Sequence, residues 1–290
     1  MLSALMVLMS AFASHDIIAL DNGAIRVEID PRWFNIRFVG VPGGENFLDP
    51  VFRGERPERD STADRRDGLT TAIYPFLDDP VSKEARAEVA DVGPHHAVLV
   101  GPLSTATGLR IKKEIRLGDT EPRAVFIVTV LSERQEPVEI AVHNIARVPM
   151  GTTLRPAVGI DPLQVIESPA PLLLDLNGLK SAAVPLAEVP GRVVLGALTE
   201  SLFHVRGDLT WSRQSMTNYQ QESKYIDNRN VVLTLDQTSY SYTANLVSST
   251  AKVSAASPLV SRESWEIIPL KLPKPATAAP TQSTQAKPHD

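Results

Sequence analysis

The chain has 290 residues, 43% hydrophobic and 22% charged, with a formal net charge of −5 and no cysteine. That balance belongs to a globular chain able to bury a sizeable core, not to a disordered or fibrous one. The acidic excess argues against a nucleic-acid surface, and the missing cysteines exclude disulfides, thiolate nucleophiles and cysteine-based zinc sites.

The chain opens with MLSALMVLMSAFAS, an uncharged apolar run that ends in Ala11-Phe12-Ala13. An A-x-A pattern after such a run predicts a signal peptide over residues 1–13 and a periplasmic or extracellular mature protein. No Lys or Arg precedes the run, so the alternative is an apolar N-terminal element packed on the domain. The run is shorter than the roughly 20 apolar residues needed to cross a bilayer, so no stable membrane span is expected.

From residue 24 onward the patterned segments alternate with period two, as half-buried strands do. AIRVEID sets Ile25, Val27 and Ile29 against Arg26 and Glu28, and FNIRFVG sets Phe34, Ile36 and Phe38 against Asn35 and Arg37. In VPGGENFLD the glycine pair reads as a hairpin turn, because no helical pattern follows it to hold a phosphate. Residues 53–68 carry five basic and five acidic groups and read as a solvated loop. VSKEARAEVADV fits helix and strand about equally.

Three strands are expected to form a meander over 108–149. GLRIKKEIRL alternates Leu109, Ile111, Ile115 and Leu117 against Arg110, Lys112, Glu114 and Arg116. AVFIVTVL is apolar on both faces, which predicts a central buried strand. VEIAVHNIARVP follows, with Val142, Ala146 and Val148 on one side and Ala141, His143, Ile145 and Arg147 on the other. AVLVG, VVLGAL, NVVLTLD, SYTANLV and ESWEIIPL are further strands. The tail 271–290, rich in Pro, Ala and Thr, predicts disorder. Residues 15–270 then form one all-β domain, a large antiparallel sandwich, because a sheet of this size must curl or split into two layers.

No G-x-S-x-G elbow, P-loop or H-E-x-x-H motif occurs. His95 and His96 are adjacent and would face opposite ways on a strand, which suits an exposed turn better than a metal site. His204 reads as structural. No metal or cofactor is expected. His143 has a better case. It shares a strand face with Arg147, about 13 Å away, and the pair could grip two ends of a polar ligand such as a sugar. The alternative is a hydrated sheet face. Residues 207–230 mix Trp211, Tyr219 and Tyr225 with Arg213, Gln214 and Glu222. Aromatic faces beside planar donors suit sugar rings, although a surface loop with tucked aromatics gives the same pattern.

IALDNGAIRVEIDPRWFNIRFVGVPGGENFLDP, with Gly43, Gly44, Asn46 and Leu48, resembles the opening of aldose-1-epimerase (galactose mutarotase)-like domains. The segment 107–152 resembles their middle, and ESWEIIPL their last strand. The resemblance implies a galactose mutarotase-like β-supersandwich, with a ligand on the concave sheet face. It places His143 at the catalytic histidine and offers Glu222 or Glu263 as the glutamate base, and in that fold Arg155 would reach from a loop into the groove that His143 and Arg147 line; Trp211 and Arg213 are the ligand contacts that the polar-aromatic segment itself suggests. AVHNIARVP departs from the family's T-N-H-x-Y-F-N-L strand. The expected function is therefore a carbohydrate-binding protein without conventional epimerase catalysis. An active mutarotase, with isomerase activity of the aldose 1-epimerase type, and a non-catalytic envelope structural protein are the alternatives.

Overall fold

The computed structural model describes residues 17–49, 68–77, 79, 86–149, 151–157, 161–167, 192–199, 201–216, 225–236 and 241–270. The expected signal peptide, the charged loop, the tail and Glu222 lie outside them. The strands in chain order are β1 (Ile18–Asp21), β2 (Arg26–Asp30), β3 (Asn35–Gly40), β4 (Leu69–Tyr74), β5 (Glu88–Gly93), β6 (His96–Val100), β7 (Leu109–Leu117), β8 (Arg123–Ser132) and β9 (Val138–Arg147). They continue as β10 (Thr153–Pro156), β11 (Asp161–Glu167), β12 (Arg192–Leu198), β13 (Ser201–Arg206), β14 (Leu209–Ser215), β15 (Val231–Asp236), β16 (Ser241–Val247), β17 (Ala251–Val253) and β18 (Leu259–Pro269). The described helix is a single 3₁₀ turn, Ile226–Asn228.

These strands make two antiparallel sheets. The ten-stranded sheet runs β1-β2-β3-β4-β9-β16-β15-β12-β11, with β17 paired to the start of β9. The eight-stranded sheet runs β10-β13-β14-β18-β8-β7-β6-β5. The core lies between them. Val27, Ile29 and Ile36 enter it from the larger sheet, and Ile111, Ile115, Phe126 and Val128 from the smaller. Fully burying one such side chain is worth about 1.5–3 kcal/mol, so period-two alternation fixes which face turns inward.

The expected meander is corrected. β7 and β8 pair along their whole length, but β9 leaves them and enters the other sheet between β4 and β16. The second neighbour of β8 is β18. The segment between β8 and β9 is therefore an arch between layers, not a hairpin. β8 is central in its sheet, yet Val125 and Ile127 on its outer side are only half-buried, so it is not covered on both faces. Residues 209–215, read as a polar-aromatic cluster with a surface loop as the alternative, form the interior strand β14.

The Gly43-Gly44 segment closes a turn as expected. Gly43 takes a φ of 71°, the left-handed region that glycine enters without strain. Asn46 then locks the turn. Its Oδ1 accepts hydrogen bonds from the Val39 and Leu48 amides, both at 3.0 Å, and its Nδ2 donates to the Arg37 carbonyl at 2.8 Å. Arg206, at the end of β13, donates to the Asn46 carbonyl at 2.6 Å and so ties the turn to the second sheet.

One buried cation breaks the apolar pattern of β7. Lys113 shares the inward side with Ile111 and Ile115, and its ammonium donates to the Phe34 carbonyl at 2.5 Å while lying 4.1 Å from the centre of the Phe34 ring. Burial pushes its pKa down to about 7. An unfolded lysine titrates near 10.4, so the unfolded chain binds the extra proton throughout the interval between the two values. Stability from this residue is present above about pH 10 and is lost as pH falls toward 7, a loss on the order of several kcal/mol. The unfolding free energy of the native chain should accordingly rise between pH 7.5 and 10 relative to that of Lys113→Met. Parallel urea titrations of the two proteins across that range check it, and identical slopes would refute the assignment.

Candidate functional site

β9 presents two different faces to the molecule. Ile140, Val142, Asn144, Ala146 and Val148 turn into the core, and Val142 has no exposed surface. Ala141, His143, Ile145 and Arg147 turn to the other side, where His143 and Arg147 are half-buried and Ala141 and Ile145 are buried. The strand therefore faces as its alternation predicts.

The residues beside that outer face follow from register. His143 lies opposite Ala72 on β4 and Val247 on β16. Tyr74, two residues beyond Ala72 on the same side, stacks against His143 with ring centroids 6.2 Å apart and planes at 22°. Tyr74 is 39% exposed and offers an open ring to solvent. Asn245 on β16 lies opposite Ile145, between the His143 and Arg147 rows. Among the described residues the Asn245 Oδ1 and the Arg147 Nε are buried atoms with no hydrogen-bond partner. Buried polar atoms are nearly always paired, so two such atoms on one sheet face mark a place where a polar ligand can complete them.

The other expected contacts sit elsewhere. Arg155 is on β10 of the smaller sheet, opposite Phe203, while its neighbour Leu154 turns into the core. It therefore does not share a face with His143. Trp211 and Arg213 are on β14, point between the sheets and have no exposed surface. They form no open polar-aromatic platform. The sequence suggested one because both residue types also serve buried roles, and the alternation of Trp211 and Arg213 with Thr210, Ser212 and Gln214 was the overlooked strand signal.

Glu263 on β18 is likewise interior, at 2% exposure. Its carboxylate receives four donors. Oε1 accepts from Arg213 Nη2 at 3.0 Å and Asn144 Nδ2 at 2.7 Å; Oε2 accepts from Arg213 Nε at 3.0 Å and Trp265 Nε1 at 2.8 Å. Arg213 also donates to the carbonyls of Ala244 and Asn144, each at 3.0 Å. Thr71 on β4 completes the set by donating to the Asn144 Oδ1 at 3.0 Å. A carboxylate so enclosed offers no lone pair to a substrate, and it lies on the opposite side of β9 from His143. Glu263, offered with Glu222 as the base, is therefore enclosed on the core side of β9 and does not share a face with His143.

His204 packs beside this network, 4.6 Å from the Trp211 ring centre and with no exposed surface. Burial, and then the Arg213 charge, hold its pKa well below the usual histidine value. It stays neutral and structural. Among the described residues no cluster of His, Asp and Glu is placed to hold a metal ion, and no helix is long and apolar enough to cross a membrane.

Sequence reasoning missed Tyr74, Asn245 and Arg229. Tyr74 ends a strand with no clear alternation, LTTAIY, and only its register with β9 places it beside His143. Arg229 follows the 3₁₀ turn and folds back over Gly196 of β12. A Cβ built at Gly196 would come within 2.4 Å of the Arg229 Cδ. The glycine inside VVLGAL was the available signal, since an interior strand glycine often marks a close approach.

No family model and no curated protein matches the chain. Solved structures do. A galactose mutarotase related enzyme from Lactobacillus acidophilus superposes with a TM-score of 0.58 at 9% identity, covering 88% of this chain and 98% of that one. A galactose mutarotase-like protein from Lactobacillus casei gives 0.55 at 11% identity over 87% and 100%. Another from Clostridium acetobutylicum gives 0.55 at 10% identity over 88% and 96%. The chain has the galactose mutarotase-like β-sandwich fold.

The two environments predict opposite mutational responses. Glu263→Gln leaves Arg213 buried and uncompensated, which should cost about 3–5 kcal/mol. His143→Ala removes a half-buried side chain and should change stability by less than about 1 kcal/mol. Chemical denaturation of both variants measures this, and an inverted order would mean that β9 faces the other way.

Proposed function

We propose that this chain is an exported carbohydrate-binding protein that uses the outer face of its larger sheet and lacks conventional aldose 1-epimerase chemistry. The observation that carries the reading is the face itself. Tyr74 offers an exposed ring with His143 stacked beside it, and Arg147 and Asn245 offer unpaired polar atoms within the same two strand spacings. Sugars match that combination, because their C–H faces stack on aromatic rings while their hydroxyls seek planar donors and acceptors. The mutarotase-like neighbours support the choice of ligand class. Export rests on the N-terminal run ending in Ala11-Phe12-Ala13.

The absence of epimerase chemistry rests on Glu263. Mutarotation needs a base and an acid placed across the ring oxygen and the anomeric hydroxyl. His143 is placed to meet a ligand, but the carboxylate expected to work with it is closed into the core by Arg213, Asn144 and Trp265. Kinship of fold with a mutarotase related enzyme supports a second reading, an active epimerase, in which Glu222 is the base.

A glycan array followed by polarimetry separates these readings. The expected outcome is saccharide binding that weakens on His143→Ala by about 1–2 kcal/mol for the lost hydrogen bond, with no acceleration of optical-rotation change in fresh glucose or galactose. Acceleration abolished by Glu222→Gln would establish the epimerase instead. Absence of any bound glycan would favour an envelope structural role. N-terminal sequencing of the expressed protein tests export, with a start near Ser14 expected.

A further inference from the structure

The face that carries His143 extends well beyond β9. Directly opposed residues run across the larger sheet from Ile145 to Asn245, then Val232 and Gly196, and on to Gln164 at the β11 edge. These positions share one side of the sheet, because opposed residues in an antiparallel ladder point the same way. Arg229 lies on that side. Its chain rests on Gly196, with its Nε 3.0 Å from where a Cβ would stand, and its Nη2 reaches the Gln164 Oε1 at 3.4 Å.

Arg147 and Arg229 thus bring guanidinium groups to this face, and Arg192 holds a further register position on it, opposite Asp236. Neither Arg147 nor Arg229 is paired with a carboxylate among the described residues, whereas Arg26, Arg32, Arg123, Arg206 and Arg213 all are. Arg147 makes no side-chain hydrogen bond at all among them, and its Nε is buried. An always-charged group left half-buried and unpaired is costly unless an anion completes it.

We propose that the ligand of this face is an acidic oligosaccharide, with oxyanion substituents on at least two sugar units. The inference rests on the carbohydrate reading above and adds charge and length to it. Three strand spacings and two residues along the strand put Arg147 about 16 Å from the Gly196 seat of Arg229. That backbone separation is wider than a single pyranose ring, and Arg229 reaches away from β9 toward Gln164, so a ligand of more than one unit suits the two seats. The acceptor of Asn245 lies between them and suits a hydroxyl of the connecting unit. Carboxylates pair with guanidinium in a two-pronged geometry that neutral hydroxyls cannot match. Asp236 and Glu167 also hold register positions on this side, so the face is mixed in charge and the oxyanions belong at Arg147 and Arg229.

Isothermal titration of the full chain with trigalacturonate, a neutral galactotriose, a sulfated galactan trisaccharide and monomeric galacturonate tests the proposal. Trigalacturonate should bind at least tenfold tighter than galactotriose at low salt, and at least tenfold tighter than monomeric galacturonate. Equal use of the sulfated trisaccharide would support the shared oxyanion chemistry and leave the substituent open; its failure would assign carboxylate. Arg147→Gln and Arg229→Gln should each weaken trigalacturonate about tenfold while leaving galactotriose within a factor of three. Gly196→Ala, which unseats Arg229 without removing charge, should do the same as Arg229→Gln. Arg155→Gln, an equal charge loss on the other sheet, should change nothing, and thermal melts confirm that every variant is folded. Galactotriose binding as tightly as trigalacturonate would overturn the acidic ligand yet leave the carbohydrate reading standing. Loss of affinity on Arg155→Gln equal to that on Arg229→Gln would reduce the effect to general charge and overturn the site. Binding of no saccharide would remove both readings together.

Discussion

A charged pair sealed between two sheets governs this molecule. Arg213 reaches from β14 to backbone carbonyls of β9 and β16 in the opposite sheet, and Glu263, on the adjacent β18, holds Arg213 and the Asn144 side chain. Moving two such charges out of water costs several kcal/mol per ion, and only nearly complete hydrogen bonding recovers it. Here the carboxylate receives four donors and the guanidinium uses four of its N–H groups, counting Nε, one on Nη1 and two on Nη2. Such a network tolerates one relative placement of the sheets. Apolar contacts alone allow layers to slide by small steps, whereas displacement of Asn144 or Ala244 here strands a buried ion.

The outer face inherits its precision from that strut. Asn144 is held three times, through its carbonyl, its Nδ2 and its Oδ1, and the last contact comes from Thr71. Thr71 lies directly opposite Asn144 on β4, so the register of β4 against β9 is fixed at that point. Tyr74 is three residues beyond Thr71, and His143 precedes Asn144. Their stacking is therefore a consequence of contacts made on the other side of the sheet. Rigid strands supported from behind hold binding groups more closely than loops do.

Strand character was legible wherever one face is apolar and the other charged. β2, β3, β7 and β9 all show it, because a helix would spread those charges around its circumference. Partnership was not legible. The arch after β8 carries polar turn residues that suit a hairpin equally well, and only the whole fold decides which strand receives β9. The site was half visible. His143 and Arg147 stand four residues apart on one strand and could be read together, but Tyr74, Asn245 and Gly196 join them through ladders between distant segments. Trp211 and Arg213 misled for a related reason. Composition alone does not distinguish an aromatic-cation pair that meets a ligand from a buried one whose cation meets Glu263.

The two faces of β9 divide the chemistry between them. Inside, every strong polar group of the strut has a partner within the chain, and the result is a fixed geometry without reactivity. Outside, Arg147 and Asn245 keep buried atoms without partners among the described residues, and the result is a surface that gains by binding. A one-residue slip of β9 would exchange these sets, placing Arg147 against the core and Asn144 on the outer side. Both the stability of the sandwich and the identity of its binding face therefore depend on the same register. The buried ion pair, although it touches no ligand, excludes the alternative arrangement that hydrophobic alternation leaves only weakly disfavoured at Ala141 and Ile145, two buried apolar residues on the side of β9 away from the pair.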